Sequence, residues 1–280
     1  MRHRDRTDEP HDDYSAFRRA VQFDLAQDIN AGFVSAYFRS FATPDSARVL
    51  MASGAMQSDP LKRATDTGVV IYELIANGFD HPRSMQMLEL LRRVHKGLPV
   101  TADDYRYVLL SMLIVPYRWC ARYGIRPWTT EETAQGVAFF TELGDRIGID
   151  RLPPTMTAME AFFDQYETDT VRPSPDSHTL VLASLDVFRF QLTGPMRLLR
   201  FLAPQLLSAT VEDPRICHAL GIPPAARWTR ALLHTSAGAR RAVNRITGPR
   251  RRLFFTPGAP VGAYPHGYRP SDVGPERTKL

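Results

Sequence analysis

The chain has 280 residues, 44% of them hydrophobic and 23% charged. This is ordinary globular composition, long enough for one large core, and it excludes a collagen-like, coiled-coil or wholly disordered protein. Net charge is +5, so nothing in the overall balance demands a polyanionic partner.

The charge is unevenly placed. Residues 222–280 hold eleven Lys and Arg against two acids, Asp272 and Glu276. The basic excess therefore belongs to the C-terminal fifth, notably Arg240, Arg241, Arg245 and Arg250 to Arg252. Such a segment suits peripheral contact with an anionic membrane, and a solvated helix face is the plainer reading. It carries no nucleic-acid motif, so no nucleic-acid partner is expected. Cys120 and Cys217 form no CxxC. That argues against a disulfide framework or structural zinc and for a reducing, cytoplasmic setting.

Residues 1–13 are charged, lack the apolar run of a secretory leader, and read as a disordered tail. A helix is expected from Tyr14 through FRRAVQFDLA, then others over Ile29–Arg39 and Ser46–Ala55. The next runs from Leu61 to Ala76, closed by Asn77-Gly78, and is followed by one from Pro82 to Lys96. Thr101 with Asp104 resembles a capping box and opens a core helix that reaches Tyr123. Its apolar run, YVLLSMLIVPYRW, is too short to cross a bilayer. Thr129 with Glu132 and Thr157 with Glu160 repeat the capping signal. Further helices are expected over Ser177–Gln191, near 195–208 and 213–219, and from Ala225 to Arg245. The tail after Pro249 is rich in Gly and Pro and reads as irregular. No stretch alternates with period two, so the fold class is all-α. The division is a tail over 1–13, a helical domain over 14–248, and a basic, irregular segment over 249–280 that packs on the domain.

His95 closes an apolar helical stripe with Leu88 and Leu91, at spacings of three and four. An imidazole presented from an apolar wall suits a haem iron, because burial disfavours the imidazolium and keeps a lone pair free. Arg92, one turn before His95, is placed to meet a haem propionate. Arg63 and Thr67 are an i, i+4 pair. Arg63 can hold a carboxylate, and Thr67 can donate to dioxygen or water beside the iron. The residues alone leave a second reading open, since a lone histidine on an apolar face is more often a core residue. Gly136, Gly144 and Gly148 suit close helix packing or a flat cofactor, packing being the commoner use. There is no HExxH, no ExxH pair, no GxSxG, no P-loop and no GxGxxG.

These pieces stand in a telling order. MASGAMQSDPLKRATDTGVVIYELIANG precedes MLELLRRVHKG, then DDYRYVLLSMLIVPYRW, TTEETAQGVAFFTELGDRIGI, LPPTMTAMEAFFDQYE and YPHGYRPSDVGP. The ordered set resembles the domain shared by latex-clearing rubber oxygenases and fungal MpaB-type oxygenases, in its MpaB-like, actinobacterial branch. The resemblance implies a single helical domain with a globin-like core binding haem b. It implies an oxygenase acting on a hydrophobic, isoprenoid-like substrate with dioxygen or peroxide. His95 then matches the proximal ligand, and Arg63 and Thr67 the family's R-x-x-x-T element. Rubber-cleaving members carry a lysine before that threonine and a distal glutamate. Here Asp66 precedes Thr67, and no glutamate lies between Asp45 and Arg63. Two other classes stand beside this one: a haem or hydrophobic-ligand binding protein without turnover, and a helical interaction module that uses its basic C-terminal helix.

Overall fold

The computed structural model describes residues 14–191, 202–248 and 250–275. The tail over 1–13 and the first part of the helix expected near 195–208 lie outside them. Helix α1 (Ser15–Arg19) runs into a π-turn, and α2 (Ala26–Arg39), α3 (Pro44–Ala52), α4 (Ala55–Ser58), α5 (Pro60–Asn77) and α6 (Pro82–His95) follow. The long α7 (Ala102–Tyr123) precedes α8 (Thr130–Ile147), α9 (Met156–Thr170) and α10 (Pro175–Gln191). Then come α11 (Ala203–Val211), α12 (Pro214–Ala219) and α13 (Arg227–Thr247). The described residues contain no strand, only an isolated bridge between Val261 and Tyr264. Among them, no helix is long and apolar enough to cross a membrane.

Three local expectations are corrected. The first helix ends as a π-helical stretch over Ala20–Asp24, and the second begins at Ala26, not Ile29. At that turn Gln22 takes up the C-terminal chain, its carbonyl accepting from the Phe254 amide at 3.0 Å and its Oε1 from Phe255 at 3.0 Å. The helix expected over Ser46–Ala55 is divided by Gly54, whose φ of 68° places it in the left-handed region. The N-cap of α9 is Thr155, not Thr157. Thr155 is extended, and its hydroxyl accepts from the Ala158 amide at 3.2 Å. Glu160 is drawn away to Arg118 at 2.8 Å. The boxes at Thr101–Asp104 and Thr129–Glu132 form reciprocally.

The core is built around α7, which buries Tyr107, Leu110, Leu113, Ile114 and Cys120. Helix α2 lies against it so closely that a Cβ on Gly32 would stand 2.3 Å from the Pro116 Cα. Any side chain at Gly32 would force these backbones apart. Gly136 and Gly144 serve packing too: a Cβ there would meet Trp128 at 2.9 Å and Leu152 at 2.6 Å. Arg39 pairs with the buried Glu167 at 2.6 Å, and the Tyr107 hydroxyl donates to the same carboxylate at 3.0 Å. This buried group joins α2, α7 and α9 inside the core. A second apolar cluster gathers Phe38, Phe41, Leu180, Leu207 and Ile216.

Residues 250–275 run along the outer face of α5. Asp66 accepts from Lys62 at 2.7 Å, from the Gly274 amide at 3.1 Å and from the Tyr264 hydroxyl. Two turns on, the fully buried Glu73 accepts from Tyr268 at 2.6 Å, from Asn77 at 2.6 Å and from Arg83. Two of these donors come from outside α5, Arg83 from α6 and Tyr268 from the C-terminal segment, and tie both to the buried carboxylate.

Candidate functional site

Helix α6 begins at Pro82, where the His81 ring accepts from the Arg83 amide at 3.2 Å. It buries Met87, Leu88 and Leu90, while Leu91, Val94 and His95 are half-buried. His95 is its last residue. A carbonyl there lacks a helical partner, and the Tyr105 hydroxyl fills the gap at 2.7 Å. The Tyr105 ring also meets the imidazole edge-on, with centroids 5.7 Å apart. The start of α7 thus clamps the residue that ends α6.

On α5, Asp59 caps the helix by accepting from Lys62 at 2.9 Å. Arg63 and Thr67 are brought together as their spacing requires. The guanidinium donates to Thr67 Oγ1, which donates to the Arg63 carbonyl at 3.0 Å. Arg63 has no ion pair among the described residues. Its charge acts on two neighbours, His95 on α6 and Tyr37 on α2. The pair and the histidine, thirty residues apart in sequence, therefore share one neighbourhood.

The His95 imidazole is held below its ordinary pKa, first by burial and then by the Arg63 charge. The nearby Leu91 carbonyl opposes the shift in part. A neutral ring has one N–H and one lone pair. The lone pair of a neutral imidazole is what a metal would take. Burial raises the Tyr37 phenol, and Arg63 pulls against that rise.

The residues around this pair are apolar and incompletely covered. Phe33, Ile71, Leu91, Val94, Val108 and Met112 lie half-buried at the edge of the main core. Four of them stand one turn from the site residues: Phe33 from Tyr37, Ile71 from Thr67, Leu91 from His95, and Val108 from Tyr105. A Cβ on Gly68, beside Thr67 in mid-helix, would meet nothing within 4 Å. A haem would fit these residues: His95 would hold its iron, Arg63 would meet its carboxylates, and the apolar side chains would face its ring. No group of three or more His, Cys, Asp or Glu among the described residues could hold a bare metal ion.

Arg92 is not brought to this neighbourhood. Its exposed side chain donates from Nε to the Arg146 carbonyl at 2.7 Å, at the end of α8. Asp66, the departure from the rubber-cleaving pattern, is turned to the C-terminal segment and is spent on structure. Tyr37, Gly68 and Tyr105 belong to the site, and sequence reasoning did not find them. Only the order of DDYRYV after the His95 helix hinted at Tyr105.

The catalytic-domain model of ER-bound oxygenases mpaB/B′ and rubber oxygenases matches residues 27–245. The chain belongs to that family. It is similar to the ER-bound oxygenase mpaB of Penicillium roqueforti (strain FM164), 28% identical over 130 residues, which are 44% of each chain. It is similar to the ER-bound oxygenase mpaB′ of Penicillium brevicompactum, 23% identical over 77% of this chain and 54% of the relative. The chain thus spans about half the length of the curated relatives it matches. The closed state of the latex clearing protein LCP shares its fold, with a TM-score of 0.61 at 16% identity, over 82% of this chain and 67% of that one. The oxygenase-domain fold carries Arg63, Thr67 and His95 inside the matched region.

Proposed function

We propose that this member of the oxygenase family uses haem b to oxygenate a hydrophobic, isoprenoid-like substrate with dioxygen or peroxide. The observation that carries the reading is His95, held below its ordinary pKa by burial and by Arg63, a cation with no ion pair among the described residues, beside half-buried apolar side chains. His95 would hold the iron, and Arg63 a propionate. Haem supplies the oxygen-activating redox chemistry when bound.

The chain's own residues do the rest. Tyr105 fixes the end of α6, and with it the imidazole. The half-buried side chains from α2, α5, α6 and α7 exclude water and favour an apolar substrate over a polar one. Thr67 Oγ1 holds its proton against the Arg63 carbonyl, and it can redirect that proton to a neighbouring oxygen when the Arg63 guanidinium turns to an anion. The two buried free thiols, Cys120 and Cys217, accord with a cytoplasmic, reducing setting.

Protein purified from haem-replete cells tests the reading. A Soret band, and pigment near one haem per chain released by acidified butanone, are expected. Protein that is colourless and takes up no added haemin sinks it. Oxygen consumption with a hydrophobic alkene then separates catalysis from haem carriage.

A further inference from the structure

Helix α13 is built inside out. It has 21 residues, about 31 Å of helix, yet Thr229 and Ala237 are its only buried residues. Its grip on the body is largely polar: Arg240 pairs with the buried Asp28, and donates to the Tyr123 carbonyl at 2.9 Å, while Arg241 donates to the Gly124 carbonyl at 2.8 Å. Leu233 packs on Trp119 and Tyr123, but the other large apolar residues face outward. Trp228, Leu232, Val243 and Ile246 are exposed, Ile246 to 87%. At helical pitch, these four fall within an arc of about 60°. A surface helix ordinarily shows the opposite arrangement.

Charge says what covers this stripe. No acidic residue occurs between Asp213 and Asp272. Arg227 and Arg245 are exposed along one flank. At the end of the helix, Arg19, Phe23, Thr247, Gly248, Arg250 and Arg251 line a cleft of about 420 Å³. Of its arginines, Arg19 has the partly covered Asp24 at 3.4 Å. An apolar ridge with a cationic flank and a cationic, aromatic-edged cleft matches an anionic lipid surface, with acyl chains under the ridge and headgroup phosphate in the cleft. A nucleic acid would satisfy the arginines and leave Trp228, Leu232 and Ile246 in water.

We propose that the outer face of α13 docks the protein on an anionic phospholipid membrane. Docking would bring the chain to the phase in which a hydrophobic substrate dissolves; that consequence alone rests on the oxygenase reading.

The full chain is mixed with vesicles of phosphatidylcholine holding about 30% phosphatidylserine, or of phosphatidylcholine alone, and floated. Binding to the anionic vesicles is expected to exceed binding to neutral ones by at least about tenfold, and to weaken with salt. Trp119 and Trp128 are 8% and 7% exposed and Trp228 49%, so a blue shift and quenching by brominated lipid report Trp228. Leu232→Asp with Ile246→Asp, and separately Arg250→Glu with Arg251→Glu, should each cut binding at least about tenfold, with helical content by circular dichroism unchanged. Trp228→Phe should keep most binding and lose the blue shift. The proposal is overturned by no preference for anionic vesicles, or by binding that survives the Leu232/Ile246 change. It is equally overturned by a dimer in sedimentation that the same change abolishes, or by a short RNA that binds regardless of that change. Haem content is measured on the same preparations: colourless protein that docks as expected sinks the oxygenase reading and leaves this one standing.

Discussion

His95→Ala is expected to lose haem, or to hold it loosely with a shifted Soret band. The helical fold should persist, because Met87, Leu88 and Leu90 still bury α6. Added imidazole should restore part of the spectrum by filling the vacated space. Normal haem content with an unshifted band would move the ligand elsewhere, with His178, His218 and His234 next to test. Thr67→Ala should keep haem and change cyanide or oxygen affinity by about 0.5–1.5 kcal/mol, the worth of one hydrogen bond. Unchanged affinity and kinetics would leave Thr67 only its bonds to Arg63. That Arg63 meets Thr67 was legible, because one helix fixes an i, i+4 pair. That both share a neighbourhood with His95 came from the resemblance, since spacing within one helix says nothing of the next. Tyr37 and Tyr105 were illegible for the same reason. Arg92 was misplaced because an exposed arginine takes whatever acceptor its neighbours offer, here the carbonyl end of α8.

Helix starts were readable wherever a cap had one candidate, as at Thr101 and Thr129. At α9 two threonines competed. Thr157 had the carboxylate three residues on, but Thr155 is the extended residue before the first helical turn and takes the cap. Thr155→Ala should therefore cost about 0.5–2 kcal/mol in urea unfolding. Thr157→Ala, on the exposed first turn, should stay within about 0.5 kcal/mol. Equal losses would restore the reading from spacing. The π-turn after α1 left no mark in composition; it coincides with the docking of Phe254 and Phe255 on Gln22, more than 230 residues away in sequence.

All-α architecture follows from periodicity because each amphipathic helix declares its own buried face. How those faces are shared among helices is decided by contacts that no local pattern shows. Helix α2 is the case in point. Ile29 and Ala36 belong to the main apolar cluster, and Phe38, two residues on, belongs to the second. Neither cluster can lose α2 and survive, so the two should unfold together. The thiols report this independently. Cys120 lies in the main cluster and Cys217 in the second, both free and buried. Burial pushes the Cys120 thiol up to about 12 and raises Cys217 as well. The reactive thiolate is therefore scarce at neutral pH in the folded chain, and access is closed besides. Neither cysteine should react with a disulfide-exchange reagent at pH 7 without denaturant. On unfolding, both return to ordinary thiol acidity and become reactive. With labelling of each cysteine-containing peptide followed by mass spectrometry against urea concentration, the two midpoints should coincide. Two well-separated midpoints would mean that α2 can leave one cluster while holding the other, and that the chain unfolds in two steps.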